Sequence, residues 1–321
     1  MKKYPSIEQF RNVIRTVKTN HDYKGKDENG ESIYSHDSNY PTLKFKGTVK
    51  LHGTNAGVVK YPNGKIEFQS RERVLDLESD NAGFMNKMHL LDFDKYFNEL
   101  TFVEYGAIYG EWCGGNVQKG VAINGLEKMF VIFGVKVDDV WIEIPENFKD
   151  EANKIFNINQ FETYEVDIDF NNPELIQNKL IEMTISVEDE CPVGKHFGNI
   201  GIGEGIVFTS VEYPDLKFKS KGEKHSSSKV KTLNEVDVVA MEGIKEFVEL
   251  AVTENRLKQG LEVLKENGIA IETKSIGEFL RWIVTDILKE EKDTLETSGL
   301  DEKKVKGAIV NKARVWFLNN F

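Results

Sequence analysis

Lys50-Leu51-His52-Gly53-Thr54-Asn55 lies between two β-like stretches, residues 43–51 and 56–61. The hexapeptide therefore ends one strand and opens a turn. Residues 56–61 and 65–70 flank Pro62-Asn63-Gly64, a hairpin signature in which Asn-Gly supplies the positive backbone angles of the turn. Further out, residues 101–111, 128–137 and 205–211 are rich in Val, Ile, Phe and Tyr and predict strands, with a helix expected over 173–183. On the N-terminal side, Ser6 opens a stretch that places Ile7, Phe10, Val13, Ile14 and Val17 on one helical face, predicting a helix over 6–18. Residues 20–40 are polar and turn-rich and read as an exposed loop.

Beyond about residue 228 the pattern changes. Residues 242–251, 254–267, 275–291 and 302–318 all show helical apolar spacing, punctuated by Gly260, Gly268 and Gly299. The Ser226-Ser227-Ser228 run is the natural hinge. The chain reads as α+β, with antiparallel sheets and helices over 1–227 and a small all-α domain over 228–321.

The 321 residues are 40% hydrophobic and 30% charged, a globular profile with no run long enough to span a bilayer. Met1-Lys2-Lys3-Tyr4-Pro5-Ser6-Ile7-Glu8 lacks the apolar core of a secretory signal, and Cys113 and Cys191 are the only cysteines. A reducing, cytoplasmic setting is expected, with no zinc site, so that carboxylates hold any metal. A net charge of -11 argues against indiscriminate coating of nucleic acid. One segment departs from that average: Lys217, Lys219, Lys221, Lys224, Lys229 and Lys231 fall within fifteen residues whose one acid is Glu223. On charge alone this reads equally as a solvated strand edge.

A lone Lys-x-x-Gly carries no information; the order of the later segments does. Phe68-Gln69-Ser70-Arg71, Tyr109-Gly110-Glu111-Trp112-Cys113-Gly114-Gly115, Gly203-Glu204-Gly205-Ile206-Val207-Phe208 and Leu216-Lys217-Phe218-Lys219 follow in turn. Together with Lys50 they resemble the covalent nucleotidyltransferase superfamily of ligases and mRNA capping enzymes. Lys-x-His-Gly-Thr-Asn, the Gly-Glu-aromatic segment, Gln118-Lys119 and Phe130-Val131-Ile132-Phe133 look most like RNA ligase family 2, the phage-type enzymes. The resemblance covers roughly residues 42–225. It implies an ATP-grasp-like ligase domain of antiparallel sheets with ATP between them, and an RNA-joining, RNA-repair activity.

The chemistry that resemblance implies has its own physical demands. A lysine amine attacking the α-phosphorus of ATP must be neutral, whereas free lysine has a pKa of about 10.4. Cations favour the neutral amine, because two unit charges about 4 Å apart repel by roughly 4 kcal/mol at an effective dielectric near 20. Lys217, Lys219 and a bound Mg²⁺ are the expected sources. They also stabilise the charge on the phosphate oxygens as pyrophosphate leaves. Two lysines spaced by two on a strand share a face, which leaves Phe218 to the core. Magnesium needs only one or two carboxylates besides phosphate oxygens, and Glu204 is the expected ligand.

The remaining roles come from the resemblance. It implies that Lys50 carries AMP, that Glu111 bonds the ribose, that Phe133 stacks on adenine and that Val207 lines the nucleotide site. Arg71 would engage phosphates and the RNA end, with His52 and Asn55 around the triphosphate or metal. Taken singly, Phe133 reads as core, Arg71 as a surface partner of Glu72, and Glu204 as a turn residue. Val49 departs from the glutamate usual before the lysine. The expected partners are RNA ends, nicked or from a broken loop, with no membrane and a monomer as default; a phage-encoded chain would work in the host cytoplasm. A DNA ligase or capping enzyme would place a β-rich barrel after the lysine pair, where this sequence places helices. A catalytically silent nucleic-acid-binding relative is the other alternative.

Overall fold

The computed structural model describes residues 1–35, 39–222, 238–291, 295 and 298–321. Ser226-Ser227-Ser228, and with them Lys224, Lys229 and Lys231, lie outside the described residues. The chain is α+β, with antiparallel sheets and a helical C-terminal region, as its periodicities predict.

The described chain runs α1 (Phe10–Asp22), β1 (Tyr23–Lys26), β2 (Ser32–Tyr34), β3 (Thr42–Val49), β4 (Thr54–Lys60), β5 (Ile66–Ser70), α2 (Phe84–Met88), α3 (Asp94–Phe97) and β6 (Gly106–Cys113). It continues through β7 (Met129–Val137), β8 (Val140–Ile142), β9 (Ile155–Asn157), β10 (Thr163–Asp169), α4 (Gln177–Asp189), α5 (Pro192–His196), β11 (Gly205–Ser210) and β12 (Lys217–Lys221). The last helices are α6 (Val238–Ala251), α7 (Glu254–Glu266), α8 (Ile276–Glu290) and α9 (Glu302–Asn320).

Contacts divide the chain into two compact units. The first holds Met1–Ile14, Thr42–Ile168 and the described part of Ile176–Asn234; the second holds Arg15–Pro41, Asp169–Leu175 and the described part of Glu235–Phe321. The second unit is thus not a contiguous tail. Its two loop segments are tied to each other by Phe170 N–H donating to the Pro41 carbonyl and by paired Tyr40–Asn171 bonds.

The first unit contains two sheets. One has the order β10-β3-β11-β12; the other has β5-β4-β6-β7-β8, with β9 parallel to β7. Alternation in β3 buries Leu43, Phe45 and Val49. Phe208 of β11 stacks on Phe218 of β12 at 5.0 Å, and Phe10 and Phe45 pack on Phe218. One face of this sheet is therefore core, which commits the other face to Thr48, Val207, Thr209 and the lysines of β12. In the second sheet, β4 and β6 are buried almost along their length, as strands covered on both faces are. The predicted hairpin is present, with Gly64 at φ 81° closing the β4–β5 turn.

Helix α1 begins at Phe10, four residues after the expected Ser6 cap. Residues 6–9 are drawn off by a β-bridge: Glu8 N–H donates to the Lys217 carbonyl and Lys219 N–H to the Glu8 carbonyl. The expected loop over 20–40 is exposed but contains the β1–β2 hairpin, whose turn is closed by Asp27 Oδ1 accepting from Asn29 and Glu31 N–H. The helix expected over 173–183 starts as a 3₁₀ turn at Pro173–Ile176 and runs on as α4 to Asp189.

In the second unit, Phe279, Ile283, Ile287, Val305, Ile309, Ala313 and Phe317 form the centre of a helical core. Thr253 and Asp301 cap α7 and α9 by accepting from Arg256 and Lys304 N–H. No helix among the described residues is long and apolar enough to cross a membrane.

Candidate active site

Lys50 stands one residue past β3, where its N–H donates to the Gly205 carbonyl at 2.8 Å and carries the pairing with β11 one step further. The chain then crosses from one sheet to the other, and β4 begins at Thr54. Gly53 makes that crossing possible. A Cβ there would sit 2.4 Å from the Trp112 carbonyl oxygen and 2.7 Å from Cys113 Cβ. Gly53 N–H in turn donates to Glu111 Oε1 at 3.0 Å. The spacing of lysine and glycine is thus the length of a sheet-to-sheet crossing whose far end is held by Glu111.

Glu204 is threaded through an equally tight place. A Cβ at Gly203 would lie 2.4 Å from the Val187 carbonyl oxygen; at Gly205, where φ is +142°, it would lie 2.1 Å from that of Ser220. Between them Glu204 is 3% exposed. Its Oε2 accepts from Lys50 Nζ at 2.7 Å, with His52 Nδ1 at 3.4 Å, and its Oε1 pairs with Lys221 Nζ at 2.6 Å. Burial alone would push this carboxyl up, but Lys50 and Lys221 hold it below the usual carboxylate range.

Lys50, Gly53, Glu111 and Lys221 line a cavity of about 420 Å³ within the first unit, and Glu204 meets it through Lys50 and Lys221. Its wall includes Lys50, Asn55, Arg71, Glu111, Phe133, Val207 and Lys219, all singled out from sequence. Burial pushes Glu111 up to about 7, with Lys50 opposing and the Glu204 charge adding to the rise. Lys219 is pulled below the ordinary lysine value by burial and by the charges of Lys221, Lys50 and Arg71. His52 reaches the site through Glu204; Lys119 is exposed and is not part of the cavity wall.

Lys217, expected beside Lys219 in the site, lies elsewhere. It does not line the cavity; its Nζ lies 4.6 Å from the centre of the Trp141 ring, and burial pulls it down to about 8. Lys221 lines the cavity instead. The reason is register. Gly205, beside Glu204 and Lys50, pairs with Lys221; Val207 pairs with Lys219; Thr209 pairs with Lys217. Alternation puts all three lysines on one face, and only the pairing partner tells which end of β12 meets Lys50.

Other wall residues are legible only in three dimensions. Tyr4, Pro5 and Ile7 line the cavity because the N-terminal segment is tied at both ends. Lys2 bonds Gln69 and accepts from Tyr109, Glu8 bridges to β12, and Ser6 Oγ accepts from Arg71. Tyr4 meets Phe133 edge-on at 4.9 Å and Trp141 at 5.5 Å. Thr48, Thr209 and Ile158 also belong to the wall.

Among the described residues no three or more His, Cys, Asp or Glu side chains gather to hold a metal. A magnesium-type ion does not require such a cage, and a buried carboxylate at the edge of a cation-lined cavity fits one that completes its shell with phosphate oxygens and water. Glu204 is the residue that would hold it.

A family model described as RNA ligase matches residues 44–231. No curated protein matches the chain. Among solved structures, the chain is similar to a Naegleria gruberi RNA ligase with pyrophosphate, at 18% identity and a TM-score of 0.45 over 70% of this chain and 57% of that one. It is similar also to mutants of that ligase with ATP and Mn, at 14% identity and 0.44, and with AMP and Mn, at 16% identity and 0.44. Each of those two matches covers 69% of this chain and 56% of the other. The chain thus spans somewhat over half the length of these structures.

Proposed function

The chain belongs to the RNA ligase family, and on that premise we propose that it is an ATP-dependent RNA ligase of the family 2, phage-related type, joining RNA 3′-hydroxyl and 5′-phosphate ends in RNA repair with Lys50 as its nucleophile. The observation that carries the reading is the convergence on one cavity of the Lys50 amine, the cations Arg71, Lys219 and Lys221, and Glu111 and Phe133 on the facing sheet. After β12 every described element is helical, which favours RNA joining over a DNA ligase or capping enzyme carrying a β-barrel at that point.

The reaction takes three displacements. The Lys50 amine, having lost a proton, attacks the α-phosphorus of ATP; a P–N bond forms as the bond to pyrophosphate breaks. A 5′-phosphate oxygen of the RNA then attacks the same phosphorus, the P–N bond breaks, and AMP sits on the RNA end. Finally a 3′-hydroxyl oxygen attacks the 5′-phosphorus and AMP leaves. Lys219, Lys221 and Arg71 stabilise charge on the phosphate oxygens, and the fixed strand-end position of Lys50 supplies the alignment. A divalent cation held by Glu204 would add neutralising charge at those oxygens. Glu111 bonds the ribose and Phe133 stacks on the base, which leaves the phosphates at the lysine end.

The test is a sealing assay across nicked duplex and single-stranded RNA, each with a 5′-phosphate. Joining that requires ATP and a divalent ion supports the reading, and the better substrate identifies the RNA class. Sealing of DNA nicks with none of RNA would contradict it.

A further inference from the structure

The cavity is polarised along the strands. At the Gly205–Lys221 rung lie Lys50, Glu204 and Lys221. One step on is the Val207–Lys219 rung, with Thr48 of β3 opposite Val207. Two steps on is the Thr209–Lys217 rung, and there the Lys217 amine marks the aromatic group of Trp141, Tyr4 and Phe133. Four residues of strand separate the first rung from the third, roughly 13 Å. A nucleotide with its α-phosphate at Lys50 and its ring on Phe133 therefore directs the edge of its base toward Thr48 and Thr209.

The residue next to the nucleophile contributes no side chain there. Val49 pairs with Ile206 on the core face and is 3% exposed, so only its backbone meets the cavity. Thr48 and Thr209 are different. Both are half-buried, both line the cavity, and neither hydroxyl makes a hydrogen bond within the described residues. Threonine is common in strands for its shape alone, but a hydroxyl on a half-enclosed wall with no protein partner is a recognition group in waiting. The other wall groups at this end, Phe133, Ile158, Tyr4 and Val207, leave the base edge few polar partners.

We propose that Thr48 and Thr209 read the nucleobase, one hydroxyl accepting from the 6-amino group of adenine and the other donating to the adjacent ring nitrogen. The inference rests on the ligase reading and adds its base-specificity element. A hydroxyl pair matches a donor–acceptor edge without a charge, and a partner left unpaired by the wrong base is the usual source of discrimination.

The test compares uptake of α-labelled nucleotide by the full-length protein from ATP and from purine riboside triphosphate, which lacks the 6-amino group. The wild type is expected to favour ATP by about tenfold or more. Thr48→Val and Thr209→Val, near-isosteric and strand-compatible, are expected to reduce that ratio to about threefold or less in at least one case, with the serine variants retaining it. A ratio unchanged in both valine variants, or no preference in the wild type, overturns the proposal. Absence of labelling from either nucleotide in the wild type instead strikes the ligase reading itself.

Discussion

Lys221 Nζ lies 2.6 Å from Glu204 Oε1 while Lys50 Nζ lies 2.7 Å from Oε2, so one buried carboxylate links Lys50 to the end of the lysine strand. Removing Glu204 leaves two cations close together without their shared counter-ion. Removing Lys221 leaves a carboxylate whose remaining partners are Lys50 and His52.

Lys221→Ala is accordingly expected to lower the rate of covalent labelling by about a hundredfold, the scale seen when a transition-state charge partner is lost. Lys217→Met, which preserves the apolar packing over Trp141, is expected to stay within about tenfold of wild type. Single-turnover labelling of the two variants checks this. The reverse ranking would restore Lys217 to the site.

Glu111 makes stability depend on pH. Burial pushes its carboxyl up to about 7 in the fold against 4.5 as the ordinary value, so between those limits the folded state is expected to hold a proton that the unfolded state has lost. Stability therefore falls as pH rises through that window. Glu111→Gln removes the penalty. The variant should melt a few degrees above wild type at pH 8, with the advantage absent near pH 4, measured by thermal unfolding. A constant offset across pH would show that burial of Glu111 is not the cause.

The N-terminal segment is part of the cavity wall through Tyr4, Pro5 and Ile7. Tyr4→Ala takes an edge-on partner from Phe133 and should raise KM for ATP about tenfold, with a smaller change in kcat, because the loss falls on ring positioning rather than on the phosphates. Tyr4→Phe should behave like wild type. Steady-state labelling as a function of ATP concentration separates the two parameters.

Gly53→Ala places a Cβ 2.4 Å from a backbone oxygen, which no side-chain rotation relieves. About 1–3 kcal/mol of destabilisation is expected, with labelling impaired as the crossing shifts Lys50. Denaturant unfolding gives the first quantity and nucleotide labelling the second.

How much of this is legible in the sequence depends on the range of the interaction. The hairpin at Asn63-Gly64, the core alternation of β3 and the helical spacing of the C-terminal region are local patterns, and the structure follows them. Lys50, Glu111 and Lys219 are brought to one cavity, but by crossings that motif order suggests without locating. Lys221 was visible as a lysine; choosing it over Lys217 required the pairing of Gly205 across β11 and β12. Ser6 has the local chemistry of a helix cap, yet bridging of Glu8 to β12 overrides it, and no local pattern reports such a contact. The hydroxyls of Thr48 and Thr209 look like ordinary strand threonines until a wall forms around them.

The most direct test of the account is covalent labelling by α-labelled ATP with Mg²⁺, comparing wild type with Lys50→Ala. The wild type is expected to carry an acid-labile, alkali-stable label, as a P–N bond requires, and the variant none, with the label mapped to Lys50 by mass spectrometry. Undiminished labelling of Lys50→Ala, or a label mapped to another residue, would contradict it.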